Sequence, residues 1–192
     1  MSSRVISGKA RGKRLKLVPG DTTRPIMDRV KENLFNILGV VNGTRWLDLF
    51  AGTGQVGIEA LSRGAAAVVF VDSGRAAVQT VRDNLAFTRL TEGATVVQGD
   101  AFRYLRETSE PPFDVVYIAP PQYKELWVTA LTAIDAAAPR YLTAGGQAIV
   151  QIVPREFKEL PLQHLTLADQ RRYGNTLLCF YVISDQGGYA NC

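Results

Sequence analysis

Trp46-Leu47-Asp48-Leu49-Phe50-Ala51-Gly52-Thr53-Gly54-Gln55-Val56-Gly57 is the stretch that decides the fold. Its apolar run reaches an acid and then breaks into a Gly-x-Gly turn before a helical pattern. That order predicts the first strand-loop-helix of a parallel α/β sheet. Gly52 and Gly54 allow a tight turn and a close approach to a bound molecule, because no Cβ intervenes. The helix behind them offers unpaired N–H groups to the same molecule.

Downstream, the pattern repeats. Ala67 to Asp72 reads as a second buried strand whose terminal acid follows Asp48 by 24 residues, about one strand-helix-strand unit. Ala76 to Phe87 is the next helix, and Thr95 to Gln98 a third strand closed by Gly99-Asp100. A short helix over 101–107, a strand Phe113 to Ile118 ending at Ala119-Pro120-Pro121, and a helix Lys124 to Ala137 follow. After a Gly145-Gly146 turn comes a fifth strand, Gln147 to Val153, and then a terminal hairpin of roughly 164–172 and 176–183. Strands alternating with helices imply a doubly wound sheet, with ligands at the carboxyl ends of its strands.

Upstream, Arg4 to Ser7 and Arg14 to Val18 read as a small basic hairpin. The turn-rich Pro19 to Thr23 connects it to an amphipathic helix, Met27 to Leu38, whose apolar positions are Met27, Val30, Leu34, Ile37 and Leu38. The chain divides at about residue 44: 1–44 a basic appendage, 45–192 the α/β domain. The net charge of +4 is unevenly spread: residues 1–31 hold nine Lys/Arg against Asp21 and Asp28, a net of +7, and the remainder carries −3. Such asymmetry fits a polyanion held at one end of the molecule, and equally a solvated arm.

Other classes find no residues behind them. No apolar run approaches the roughly 18 residues of a membrane span, and Met1-Ser2-Ser3-Arg4 does not read as a signal peptide. A cytoplasmic, monomeric, metal-free protein is expected. Cys179 and Cys192 make neither a disulfide framework nor a metal site, and the single His164 lies in a late strand pattern, away from the expected chemistry.

Gly52-x-Gly54-x-x-Gly57 alone is compatible with a dinucleotide, so a nicotinamide-dependent reductase is one reading. An acid immediately before the loop argues against it. Asp48 would repel a pyrophosphate but accept from the ammonium of S-adenosylmethionine. Asp72 could hold both ribose hydroxyls, and Asp100 could accept from the adenine amino group. The bland alternative for each acid is a loop-end cap or an ion pair.

Asp48-Leu49-Phe50-Ala51-Gly52-Thr53-Gly54, with Gly57-Ile58-Glu59-Ala60-Leu61-Ser62-Arg63-Gly64-Ala65 behind it, resembles the bacterial 16S ribosomal RNA guanine-N2 methyltransferases of the RsmD type. Arg4 to Gly12, and Arg24-Pro25 through Asp28 to Leu38, are similar to that family's N-terminal blocks. The likeness runs from residue 4 to about 123. It implies a Rossmann-like methyltransferase: a mostly parallel seven-stranded sheet with a late antiparallel strand, plus a small N-terminal hairpin and helix. It also implies S-adenosylmethionine as donor and 16S ribosomal RNA, or the small-subunit particle, as partner. Phe50, Ala51, Gly52, Thr53 and Gly54 would bind the methionine portion with Asp48, Asp72 the ribose, and Asp100 with Ala101 the adenine. Arg4, Lys9, Arg11, Lys13, Arg14 and Arg24 would meet phosphate, which positions RNA without reading its sequence.

Amino-methylating relatives carry Asp/Asn-Pro-Pro-Tyr/Phe after the fourth strand, where the acid or amide and the first proline carbonyl accept from the target amine. Here the motif is Ala119-Pro120-Pro121-Gln122-Tyr123: the oxygen-bearing side chain is a methyl, and the aromatic comes one position late. Three readings stay open. The Pro120 carbonyl acts alone or with the Gln122 amide oxygen, the target atom differs, or the chain is an RNA-binding or ribosome-assembly module with weak or no catalysis. Pro121 keeps the loop rigid in each case, and Tyr123 is the candidate base-stacking ring.

Overall fold

The computed structural model describes residues 3–20 and 26–184. Arg45–Asp48 (β3), Ala67–Asp72 (β4), Ala94–Gln98 (β5), Phe113–Ile118 (β6), Leu142–Ile152 (β7), Leu165–Tyr173 (β8) and Thr176–Ile183 (β9) form one seven-stranded sheet in the order β5-β4-β3-β6-β7-β9-β8. β3 to β7 pair in parallel, whereas β9 runs antiparallel to both β7 and β8. The expected late antiparallel strand is therefore β9, inserted between two strands made before it. The switch in strand order falls between β3 and β6, which opens a crevice at their carboxyl ends.

Alternate side chains of the strands enter two cores. Trp46, Val68, Phe70, Val115 and Tyr117 face one side; Leu47, Val69, Val71, Val116 and Ile118 face the other. Both faces are covered, as a parallel sheet requires. Gln55–Ser62 (α2) and Arg75–Thr88 (α3) contribute Val56, Ile58, Val81 and Leu85 to the first core. Ala101–Glu107 (α4), Leu126–Asp135 (α5) and Ala138–Tyr141 (α6) supply Leu105, Trp127, Leu131 and Tyr141 to the second. Gly57 lets α2 lie against β4, since a Cβ there would stand 2.3 Å from the Phe70 ring.

The N-terminal segment packs into the first core. Its strands Ser3–Arg4 (β1) and Arg14–Leu15 (β2) pair antiparallel, and Asp28–Leu38 (α1) lies beside them. Val5, Leu15, Leu34 and Phe35 share a cluster with Trp46, and the Phe35 and Trp46 rings stack at 5.4 Å.

Several elements differ from expectation by more than a residue at an end. β1 and β2 have two residues each, because side chains take the neighbouring N–H groups: Ile6 and Ser7 donate to Glu59, and Lys16 donates to Asn84. In α1 the buried face holds Val30, Lys31, Leu34 and Phe35, while Met27 and Ile37 are exposed. β7 starts at Leu142, and Gly145-Gly146 lies inside it as an irregularity where Phe113↔Leu142 gives way to Val115↔Gln147. α5 begins at Leu126 rather than Lys124, since Tyr123 and Glu125 adopt left-handed backbone, and it ends at Asp135, ahead of α6.

Candidate functional site

The loop after β3 is shaped by backbone bonds to its neighbours. Leu49 N–H donates to the Tyr117 carbonyl (3.0 Å) and Ala51 N–H to that of Val71 (3.0 Å), so the chain leaves the sheet between β6 and β4. Gly52 and Gly54 have φ of 53° and 75°, and Gly54 is the residue from which α2 starts. A Cβ on Gly52 would meet nothing within 4 Å, so its restriction is conformational and the loop borders open space. Phe50, half-buried, packs edge-on against Phe102, with ring centroids 6.2 Å apart.

Asp48 is 2% exposed, and its Oδ2 accepts the Gly57 N–H at 3.3 Å. Burial raises its carboxyl pKa to about 7, the nearby Asp72 charge pushes the same way, and the Gly57 hydrogen bond opposes them. A buried carboxylate with one long hydrogen bond is short of donors. A ligand ammonium suits it, and a pyrophosphate does not.

At the end of β4, Asp72 Oδ2 accepts from Gly52 N–H (2.8 Å) and Oδ1 from Gly74 N–H (2.8 Å). It ties the glycine loop to the start of α3 and still has lone pairs for a ribose diol. Asp100 caps α4 by accepting the Arg103 N–H at 2.8 Å, and Ala101 is buried beneath it. These acids, at the ends of β3, β4 and just past β5, lie along one carboxyl edge. Ala119, Pro120, Pro121, Gln122 and Tyr123 follow β6 on that edge; Gln122 and Tyr123 are exposed, and Ala119 packs against the first core. The site thus fits S-adenosylmethionine on one side of β3 and a substrate loop on the other. For Asp72→Ala we expect cofactor affinity to fall about ten- to a hundredfold with the fold intact, measured by calorimetry and circular dichroism. An unchanged Kd would remove Asp72 from the site.

The basic residues separate. Lys9, Arg11 and Arg14 are exposed. Arg4 pairs with Asp28 at 3.1 Å, and Lys13 donates to the carbonyls of Phe87 (3.0 Å) and Thr88 (3.2 Å), capping the end of α3. Arg24 lies outside the described residues.

Sequence reasoning missed several residues here. Asn84, fully buried in α3, accepts the Lys16 N–H (2.8 Å) and donates to the carbonyls of Lys16 (3.1 Å) and Thr53 (3.0 Å), joining the hairpin to the glycine loop. Phe102 stands beside Phe50. Arg155 and Glu156, in a single 3-10 turn Pro154–Glu156 after β7, reach Tyr123. Only Phe102 had a local signal, its place two residues after Asp100.

A surface hollow of about 420 Å³ lined by Gly8, Lys9, Val40, Asn42 and Arg63 does not include the strand-end acids; nor does one of about 390 Å³ beside Met27 and Tyr173. A cofactor laid along strand ends occupies an open crevice rather than a deep hollow. Among the described residues, no group of three or more His, Cys, Asp or Glu is arranged to hold a metal ion, and no helix is long and apolar enough to cross a membrane.

This strand order, with a glycine loop after the first sheet strand and acids at the next two strand ends, defines the Rossmann-like fold of S-adenosylmethionine-dependent methyltransferases. The structure of yhhF from Escherichia coli superposes with a TM-score of 0.81 at 30% identity, covering 97% of this chain and 100% of that one. The family model described as "Conserved hypothetical protein 95" matches residues 3–182, and the chain belongs to this family, the RsmD family that its sequence blocks resemble. YlbH of Bacillus subtilis is 46% identical over 135 residues, 69% of this chain and 73% of that protein. "Ribosomal RNA small subunit methyltransferase D" of Haemophilus influenzae is 34% identical over 134 residues, 68% of this chain and 69% of that protein.

Proposed function

We propose that the protein methylates ribosomal RNA of the small subunit from S-adenosylmethionine, at the N2 amino group of a guanine. The observation that carries the reading is the shared carboxyl edge: the Asp48–Gly54 loop, Asp72 and Asp100 on one side of the switch point, and Ala119–Tyr123 on the other. When bound, S-adenosylmethionine supplies an electrophilic methyl group on a sulfonium. Asp48 receives its ammonium, Gly52 to Gly54 border it, Asp72 takes the ribose, and Asp100 with Ala101 the adenine. The guanine amine is a weak nucleophile because its lone pair is delocalised into the ring, so the chain's task is alignment. The Pro120 carbonyl and the Gln122 amide oxygen accept its N–H groups, and the proton displaced on methylation leaves to water.

Residues 1–44 form the RNA-side appendage in this reading, with Lys9, Arg11 and Arg14 as exposed cations of its hairpin. Replacing these three by Ala is expected to flatten the salt dependence of RNA binding by roughly two to three in log–log slope. Lys13→Ala should act through α3 stability instead. An unchanged slope in the triple variant would place the RNA elsewhere.

The decisive experiment incubates the protein with labelled donor and small subunits from a strain lacking the gene, then maps the modified nucleotide. Label on a guanine N2 is the expected result. A second reading is favoured by Ala119, whose methyl cannot accept a hydrogen bond: a non-catalytic RNA-binding module. Intact cofactor and RNA binding without label transfer would support that reading against ours.

A further inference from the structure

The 3-10 turn Pro154–Glu156 holds the loop that follows β6. Glu156 Oε1 accepts the Tyr123 N–H at 2.6 Å, and the Arg155 guanidinium lies 5.6 Å from the centroid of the Tyr123 ring. Tyr123 has φ of 61°, and Glu125, two residues on, 51°. Non-glycine residues held in this region are strained, and persist where their surroundings over-determine them. A carboxylate on the Tyr123 amide is such a restraint. The other Glu156 oxygen is buried and has no hydrogen-bond partner among the described residues. The carboxylate is therefore held against the loop through Oε1, with Oε2 turned inward.

The result is a tyrosine with one side close to a guanidinium and 60% of its surface exposed, on the edge where the Pro120-Pro121 turn stands. Arginine near an aromatic face stiffens the ring and leaves the opposite face free for a planar ligand. Nucleobases stack on such rings whatever their sequence, and a base undergoing chemistry must leave its own stack to get there. Because the Ala119 side chain supplies no acceptor, alignment by stacking matters more here than in a site with an acid at that position.

We propose that Glu156, together with Arg155, is a positioning residue for the target base: it fixes the Tyr123 backbone so that the free ring face stacks on a purine extruded from RNA. The inference rests on reading Ala119–Tyr123 as the base-receiving loop. A short single-stranded RNA carrying one 2-aminopurine, whose fluorescence falls on stacking, tests it against the full chain and its Tyr123→Ala, Glu156→Ala and Glu156→Gln variants. Anisotropy on a labelled copy of the RNA ensures saturation. The parent should quench; Tyr123→Ala and Glu156→Ala should not; Glu156→Gln should, because its amide oxygen still accepts the Tyr123 N–H. Full quenching by Glu156→Ala, no quenching by the parent, or no rescue by Gln overturns the proposal. In methyl transfer, Glu156→Ala should lower kcat about ten- to a hundredfold, with S-adenosylmethionine affinity unchanged. A parent that quenches in the expected variant pattern but transfers no methyl group overturns the methyltransferase reading while the role of Glu156 stands.

Discussion

Replacing Glu59 by Ala is expected to lower folding stability by about 3 to 5 kcal/mol in denaturant titrations, the cost of taking the fully buried carboxylate out of a buried charge cluster. Glu59 is fully buried in α2 and accepts from Ile6 N–H (2.7 Å), Ser7 N–H (3.0 Å) and Arg63 Nε (2.8 Å). The Lys31 ammonium, also fully buried, stands 3.9 Å away and donates to the Arg4 carbonyl at 2.7 Å. Burial lowers the Lys31 pKa, while the charges of Glu59 and Asp28 raise it in opposition. Without Glu59, the lysine keeps Asp28 at 3.9 Å with the Ser3 hydroxyl and the Arg4 carbonyl, but one of its two carboxylates is gone, Arg63 loses its ion pair, and two amides of the hairpin lose their acceptors. The hairpin should therefore come loose first, with tryptic cleavage in 9–16 accelerated ahead of the rest of the chain. A loss below about 1 kcal/mol, the scale of an exposed pair, would show that the cluster is replaceable by water.

Asp48→Asn should raise the stability of the cofactor-free protein at pH 8 and weaken S-adenosylmethionine binding. Burial lifts this carboxyl from 3.8 to about 7, so the folded chain keeps a proton that the unfolded chain releases. Stability on this account is greatest near pH 4, declines as pH climbs toward 7, and is fully diminished above that, by at most about 4 kcal/mol. Asparagine cannot ionise, so the variant escapes the decline. Binding runs the opposite way. A ligand ammonium needs the anion, so the parent's affinity should rise about tenfold per pH unit below 7 and then level off, and the variant's should not. Thermal unfolding with and without S-adenosylmethionine from pH 5.5 to 8 reads both slopes. A variant less stable than the parent at pH 8, or a parent affinity flat with pH, would sink this account of Asp48.

The sheet was legible because its strands are buried on both faces and read as short apolar runs, each stopped by an acid, a glycine or Pro-Pro. Ala67–Asp72 and Phe113–Ile118 stand where their composition placed them, and the closing hairpin turns at the expected Gly174. Less legible were elements whose backbone partners are side chains far along the chain. Nothing in Arg4 to Ser7 announces that Glu59 will take two of its amides, and nothing in Lys16 points to Asn84. Lys31 defeated periodicity because a lysine on the inner face of α1 needs a carboxylate from another helix to be tolerated there. For the site, the acids stood out because each stands at or just past a strand end, and the loop-end cap named as the alternative is a duty two of them also carry, though the sequence did not say for which amides: Asp72 clamps Gly52 and Gly74, and Asp100 caps α4. Arg155 and Glu156 belong to no motif, and meet Tyr123 only because β6 and β7 are neighbours in the sheet.

The position of β9 bears on how the molecule is made. A nascent chain that has emerged as far as Tyr173 has β7 and β8 but not the strand that belongs between them, so β7 still presents an open edge of unpaired amides and carbonyls. Leu177, Leu178, Cys179, Phe180 and Tyr181 fill that gap, each less than one-tenth exposed. Synthesis of these residues closes the sheet and seals both cores at once. Until then the growing polypeptide has reason to engage chaperones, and a transcript cut short before codon 176 would yield a product with an adhesive edge in place of a finished enzyme.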